Sequence, residues 1–101
     1  MKLMVSGLIC LKENNHEVRY QVWRGMVVYS EDGEAVGKLS ALLYKDQVKC
    51  AFAILIDSLP DVPDYHFIPV EQILNTQWGC VNLKIKSTEI QNLPLWHADG
   101  L

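Results

Sequence analysis

Residues 25–44 read GMVVYSEDGEAVGKLSALLY, and the fold class turns on this stretch. Met26 to Tyr29 is an extended apolar run. It leads into Ser30-Glu31-Asp32-Gly33, whose Asp-Gly pair is a strong hairpin signal because glycine takes positive φ without steric cost. Glu34 to Tyr44 then returns as a second strand. In that strand Leu39, Ala41 and Leu43 fall on one face with Gly37, and Lys38 and Ser40 on the other. Val36 is out of phase with the set, which predicts a bulge at Gly37. A bulge bends a strand and helps a small sheet curl toward a barrel.

Outward toward the C-terminus, Lys45-Asp46-Gln47 predicts a turn and Val48 to Asp57 an apolar strand. Val48, Cys50, Phe52, Ile54 and Ile56 alternate there with Ala51, Ala53 and Leu55, so neither face is clearly wet, and such a strand is covered on both sides. Pro60 and Pro63 impose a loop on residues 58–64. Tyr65 to Ile68 reads as a short strand. Pro69 suits the first position of one short helical turn over Val70 to Leu74. Trp78 to Lys86 reads as an amphipathic strand with Val81, Leu83 and Ile85 inside. Toward the N-terminus, Leu3 to Leu11 is a strand, Asn14-Asn15 a turn, and Val18, Tyr20 and Val22 alternate with polar residues. Residues 3–23 therefore predict an added hairpin, and the whole pattern predicts an all-β fold, a small barrel or sandwich.

A chain of 101 residues, 50% hydrophobic and 21% charged, fits one domain with one core. Its net charge of -3, with Lys and Arg scattered rather than clustered, argues against nucleic acid as partner. The apolar run Leu3 to Leu11 is broken by Ser6 and Gly7 and falls short of the ~20 residues of a membrane helix, so no membrane insertion is expected. Cys10, Cys50 and Cys80 are far apart, odd in number and without a CxxC spacing. They read as separate small apolar residues of a soluble cytoplasmic protein.

Several of these features form an ordered series. G-x-x-V-Y-x-x-x-G stands at Gly25, Val28, Tyr29 and Gly33, V-G-K-L at Val36 to Leu39, an apolar strand at Ala51 to Asp57, and F-I-P-V-E at Phe67 to Glu71. A final strand follows at Val81 to Ile85. In order and spacing, Gly25 to Lys86 resembles the PRC-barrel family, named for the photosynthetic reaction centre H subunit and present also in a bacterial ribosome-maturation factor. The resemblance implies a PRC-type β-barrel over residues 25–88, with residues 1–24 as an N-terminal hairpin extension and 89–101 as a tail. It also implies a non-catalytic assembly module or adaptor that binds another protein.

The residues themselves supply no reaction centre. His16, His66 and His97 form no ligand spacing, so no metal or cofactor is expected. Asp57, Asp61 and Asp64, with Glu71 beyond, match no calcium loop and read as a solvated acidic segment. No nucleophile elbow, P-loop or dinucleotide fingerprint occurs, and no catalytic residue is assigned. Trp23, Tyr29, Tyr44, Tyr65, Trp78 and Trp96 are core residues or, where exposed, binding anchors. The alternative to an interaction module is a small-molecule or enzymatic barrel with its site near Tyr65, His66 and the Asp57 to Asp64 loop. Surplus apolar surface at Leu3, Val5, Ile9, Leu11, Ala51, Ala53 and Leu55 predicts a homodimer contact there, or else a hairpin that covers this face within one chain.

Overall fold

A computed structural model of the chain describes residues 2–57 and 64–97. The strands are β1 (Lys2–Met4), β2 (Ser6–Glu13), β3 (His16–Trp23), β4 (Val27–Tyr29), β5 (Ala35–Tyr44), β6 (Ala53–Asp57), β7 (Asp64–Pro69), β8 (Ile73–Asn75), β9 (Val81–Leu83) and β10 (Leu95–His97). One short helix, α1, spans Ser87–Ile90. The fold is all-β. An eight-stranded sheet runs in the order β10-β7-β6-β5-β4-β9-β8, with β1 paired to the far half of β5, and it curls through 186° into a half-barrel. The β4–β9 pair is parallel and its neighbours are antiparallel. The short turn expected over Val70 to Leu74 is a 3-10 helix at Val70–Gln72 only: Pro69 is its extended N-cap, not its first helical residue, and Ile73 and Leu74 belong to β8.

A half-barrel leaves its core open on one side, and the β2–β3 hairpin closes it. Asn14 and Asn15 both take left-handed φ, 50° and 67°, in the tight turn that joins the two strands. Ile9, Leu11 and Val22 are buried in the same cluster as Val28, Leu39, Leu42, Ile54, Ile56, Ile68, Val81 and Leu83. The hairpin is thus a wall of the core, not an addition to it, and Leu3 belongs to a separate strand in the main sheet. Each fully buried aliphatic side chain contributes about 1.5–3 kcal/mol, more than the roughly 1 kcal/mol net of a hydrogen bond. Burial therefore holds the hairpin, and polar contacts fix where it sits. The Leu8 N–H donates to the Tyr44 hydroxyl at 2.8 Å, and the Leu8 carbonyl accepts from the Ala51 N–H at 2.9 Å. A Cβ on Gly7 would collide with that hydroxyl, so glycine is required by close approach.

Two bulges reset the phase of β5. Between β4 and β5, Val28 pairs with Gly37 and Tyr29 with Ala35, which leaves Val36 as the extra residue, next to the expected position. Between β5 and β6, Leu39 pairs with Ile56 and Ala41 with Leu55, so Ser40 is a second extra residue. The freed Ser40 carbonyl accepts from Arg24 Nε at 2.9 Å. This second bulge corrects the one-face expectation: Leu39 and Leu42 face the main core, whereas Ala41 and Leu43 face a smaller cluster with Ala53 and Leu55. The strand expected from Val48 begins only at Ala53, because residues 45–52 turn and bend first. Phe52 consequently packs half-buried on the smaller cluster, not in the main core, and Val48 is exposed. The strand expected from Trp78 is likewise trimmed to Val81–Leu83, and α1 follows where no helix was expected.

The cysteines also need correction. Cys10 and Cys50 form a disulfide, with Cα atoms 5.9 Å apart and a sequence separation of 40, and Cys80 is free. The cysteine argument for a reducing compartment falls with this pairing, since disulfides persist in oxidising surroundings. The prolines of residues 58–63, and Asp61 with them, lie outside the described residues.

Ile54→Ala is expected to cost about 2–5 kcal/mol in a denaturant titration and Phe52→Ala clearly less, because only the first is fully buried. The reverse order would mean that the β6 register is wrong. Replacing Cys10 with Ala is expected to cost roughly 4 kcal/mol, the chain-entropy value for a closed loop of this length. A stability equal to that of the parent in the absence of reductant would show that the bond does not form.

Candidate protein-binding surface

The outer face of β6 is where the sequence located surplus apolar surface. Within one chain, Ala53 and Leu55 are fully buried there, together with Leu43. The cover comes from Phe52, Tyr65, Phe67 and Trp96, which reach over from β7, β10 and the bend before β6. Phe52 and Phe67 lie with ring centroids 6.2 Å apart, and Tyr65 and Trp96 6.3 Å apart, both tilted. Strand β10 exists to bring Trp96 there: Trp96 pairs with Tyr65 across the β10–β7 ladder. Ala51, Ile9 and Leu11 are buried in the other, main core. Of the residues expected at a dimer contact, only Leu3 and Val5 remain exposed. No second copy is needed to cover the β6 face, and the cover is aromatic and local, not supplied by the hairpin.

That cover is incomplete. A groove of about 320 Å3 remains between the N-terminal strand and the aromatic pair. Ala41 and Leu55 form its floor, and Tyr65 and Trp96 flank one side. On the other stand Leu3, Met4 and Val5, which are 39%, 46% and 52% exposed. Consecutive large apolar residues on a surface mark a binding site more often than isolated ones do. Among the described residues, Arg24 is the one charged side chain that lines the groove. Its Nε is spent on the Ser40 carbonyl, which orients the guanidinium, and its backbone N–H donates to the Val5 carbonyl at 2.8 Å. Both contacts tie the β5 bulge and the end of β1 to one wall of the groove. Sequence reasoning found Leu3, Val5 and Leu55. It missed Met4, Arg24 and the pairing of Tyr65 with Trp96.

The alternative site does not assemble in the same way. Tyr65 and His66 are neighbours on β7, so they point to opposite faces. Tyr65 lines the groove, whereas His66 pairs with Ile56 on the ladder and does not line it. The Nδ1 atom of His66 is buried and has no hydrogen-bond partner among the described residues. Asp57 ends β6, Glu71 is exposed beyond β7, and the segment between residues 57 and 64 is outside the described residues. Among the described residues no three His, Cys, Asp or Glu side chains gather closely enough to hold a metal ion, and no helix is long and apolar enough to cross a membrane.

A second concavity, about 620 Å3, lies at the other end of the sheet order, beside the Asp32-Gly33 turn. Asp32 latches this turn to α1. It accepts hydrogen bonds from the Ser30 hydroxyl, from the Ser87 hydroxyl at 2.9 Å and from the Ser87 backbone N–H at 3.1 Å. The Glu31 N–H donates to the Ile85 carbonyl at 2.7 Å and continues the same contact. The Ser30 hydroxyl first, and then Ser87, hold the Asp32 carboxyl down at about 2, against an ordinary value of 3.8.

No family model, curated protein or solved structure matches this chain.

The depressed Asp32 value sets a sign for acid stability. A folded-state value below the unfolded one means that the ionised form favours folding. This contribution is complete above the ordinary value of 3.8 and is lost as pH falls toward about 2. Stability measured from pH 5 to pH 2 is expected to fall less steeply in Asp32→Asn than in the parent (a window set by this group's linkage). Identical slopes would show that the carboxylate is not held by Ser30 and Ser87.

Proposed function

We propose that this chain is a non-catalytic, PRC-barrel-like interaction module that binds an extended segment of another protein. The observation that carries the reading is the groove between Leu3, Met4, Val5 and the Tyr65–Trp96 pair. It offers large apolar side chains at its rims, a small residue, Ala41, on its floor, and one oriented cation. Tyr, Trp and Arg are the residue types that dominate binding energy at protein interfaces. The occupant that fits is a segment with an apolar side chain to lie over Ala41 and an adjacent carboxylate for the terminal nitrogens of Arg24. A basic segment would meet Arg24 unfavourably. The ordered motifs shared with the PRC-barrel family support the same class of function.

Selection of a random-peptide phage library on the purified chain tests this. The expected result is enrichment of peptides that combine Asp or Glu with a large apolar residue. Their affinity is expected to fall roughly tenfold or more in Arg24→Glu and in Val5→Asp, the cost of removing one anchor from a small interface. Enriched peptides that bind both variants as well as the parent, or no enrichment at all, would refute the groove as the binding site.

A further inference from the structure

Trp78 stands at the rim of the second concavity and is 94% exposed. Its backbone is left-handed, φ 60° and ψ 29°, a region that a bulky side chain rarely occupies. The turn that holds it there is pinned. Asn75 Oδ1 accepts from Asn82 Nδ2 at 2.8 Å and from the Gln77 N–H at 3.4 Å, and the Cys80 N–H donates to the Gln77 carbonyl at 3.1 Å. The indole is therefore presented on a fixed support, and it leaves Leu74 beside it uncovered. Backbone strain combined with full exposure of the most apolar kind of anchor points to function more than to packing.

We propose that a second copy of this chain occupies this concavity, and that the two copies exchange their Trp78 indoles about a two-fold axis. A two-fold contact that buries a projecting side chain needs one patch to carry both the projection and a recess, because residue i meets j of the partner while j meets i. Here the two adjoin: the indole projects beside a recess lined by Tyr29, Leu74 and Leu83. The charges follow the same logic. Glu31 and Lys84 both line the recess, and neither forms an ion pair among the described residues. A strongly acidic or strongly basic partner would meet one of them unfavourably, whereas a second copy brings a Lys84 for each Glu31 and a Glu31 for each Lys84. Two buried indoles supply roughly 300–500 Å2 of the about 1,200 Å2 at which specific interfaces begin. The rest must come from the walls of the recess, so the dimer belongs at the weak, micromolar end. This surface shares no residue with the groove at β1, and the inference goes beyond the reading given there.

Sedimentation equilibrium of the full chain at high micromolar concentration tests it. The parent is expected to show a mass of two chains. Trp78→Gly is expected to show a mass of one chain with an unchanged circular dichroism spectrum, since glycine accepts the left-handed backbone and no buried contact is lost. Glu31→Lys and Lys84→Glu are each expected to weaken association about tenfold, and the double variant to restore it. A one-chain mass for the parent, a mass above two chains, or a two-chain mass that persists in Trp78→Gly would overturn the proposal. So would a double variant as weak as the single ones. Dissociation by Val5→Asp while Trp78→Gly stays dimeric would also overturn it and would move self-association to the β1 groove.

Discussion

The rest of this structure depends on closure of a half-open core by the β2–β3 hairpin. A sheet that curls through only 186° cannot hide the side chains on its concave face. Ile9, Leu11 and Val22 supply the missing wall, and their burial is the larger energetic term. Burial alone does not set register, because a slide of one residue would turn Ile9 and Leu11 to water together. Register is set by a run of neighbouring contacts: Gly7 under the Tyr44 hydroxyl, Leu8 bonded to Tyr44 and Ala51, and Cys10 joined to Cys50. Each of these would be misplaced by the same slide. The aliphatic contacts give the hairpin its hold, and the polar and covalent ones give it a single position.

Where local chemistry decides structure, the sequence was readable. Asn14-Asn15 could be identified as a turn because few other residues tolerate left-handed φ at two successive positions. Pro69 pointed to a helical turn through its fixed φ, and Val81, Leu83 and Ile85 declared one buried face by period alone. Several failures were long-range. The Ser40 bulge depends on Arg24, far away in sequence, to satisfy its carbonyl, so nothing within β5 announced it. The pairing of Cys10 with Cys50 depends on where the hairpin docks. Phe52 continues the alternation of Ile54 and Ile56 in sequence but lies in a bend before the strand, where alternation does not set the face, and it packs on the opposite cluster.

The candidate surfaces were partly legible for the same reason. A strand apolar on both faces announces a need for cover, and Leu3 and Val5 announced apolar surface near the N-terminus. What supplied the cover was hidden. Trp96 sits in a strand of three residues that forms only because β7 offers an edge, and such a short strand leaves no pattern. Trp78 was hidden more completely. Its sequence neighbours continue the alternation of β9, and only the left-handed turn removes it from that strand.

The two faces of β6 are covered by different means, and the groove follows from that difference. On the inner face, branched aliphatic side chains from several strands interlock and leave nothing exposed. On the outer face a few large rings lie over a flat floor, and rings cannot subdivide to fill every gap. The gap falls at Ala41, the smallest side chain that the floor presents between Leu55 and the N-terminal strand. Ala41 faces outward only because the Ser40 bulge reversed the phase of β5 after Leu39. The same bulge freed the carbonyl that orients Arg24 at the groove's edge. One inserted residue in β5 therefore accounts for the space in the floor and for the cation beside it, so the groove's shape and its charge have a common structural origin.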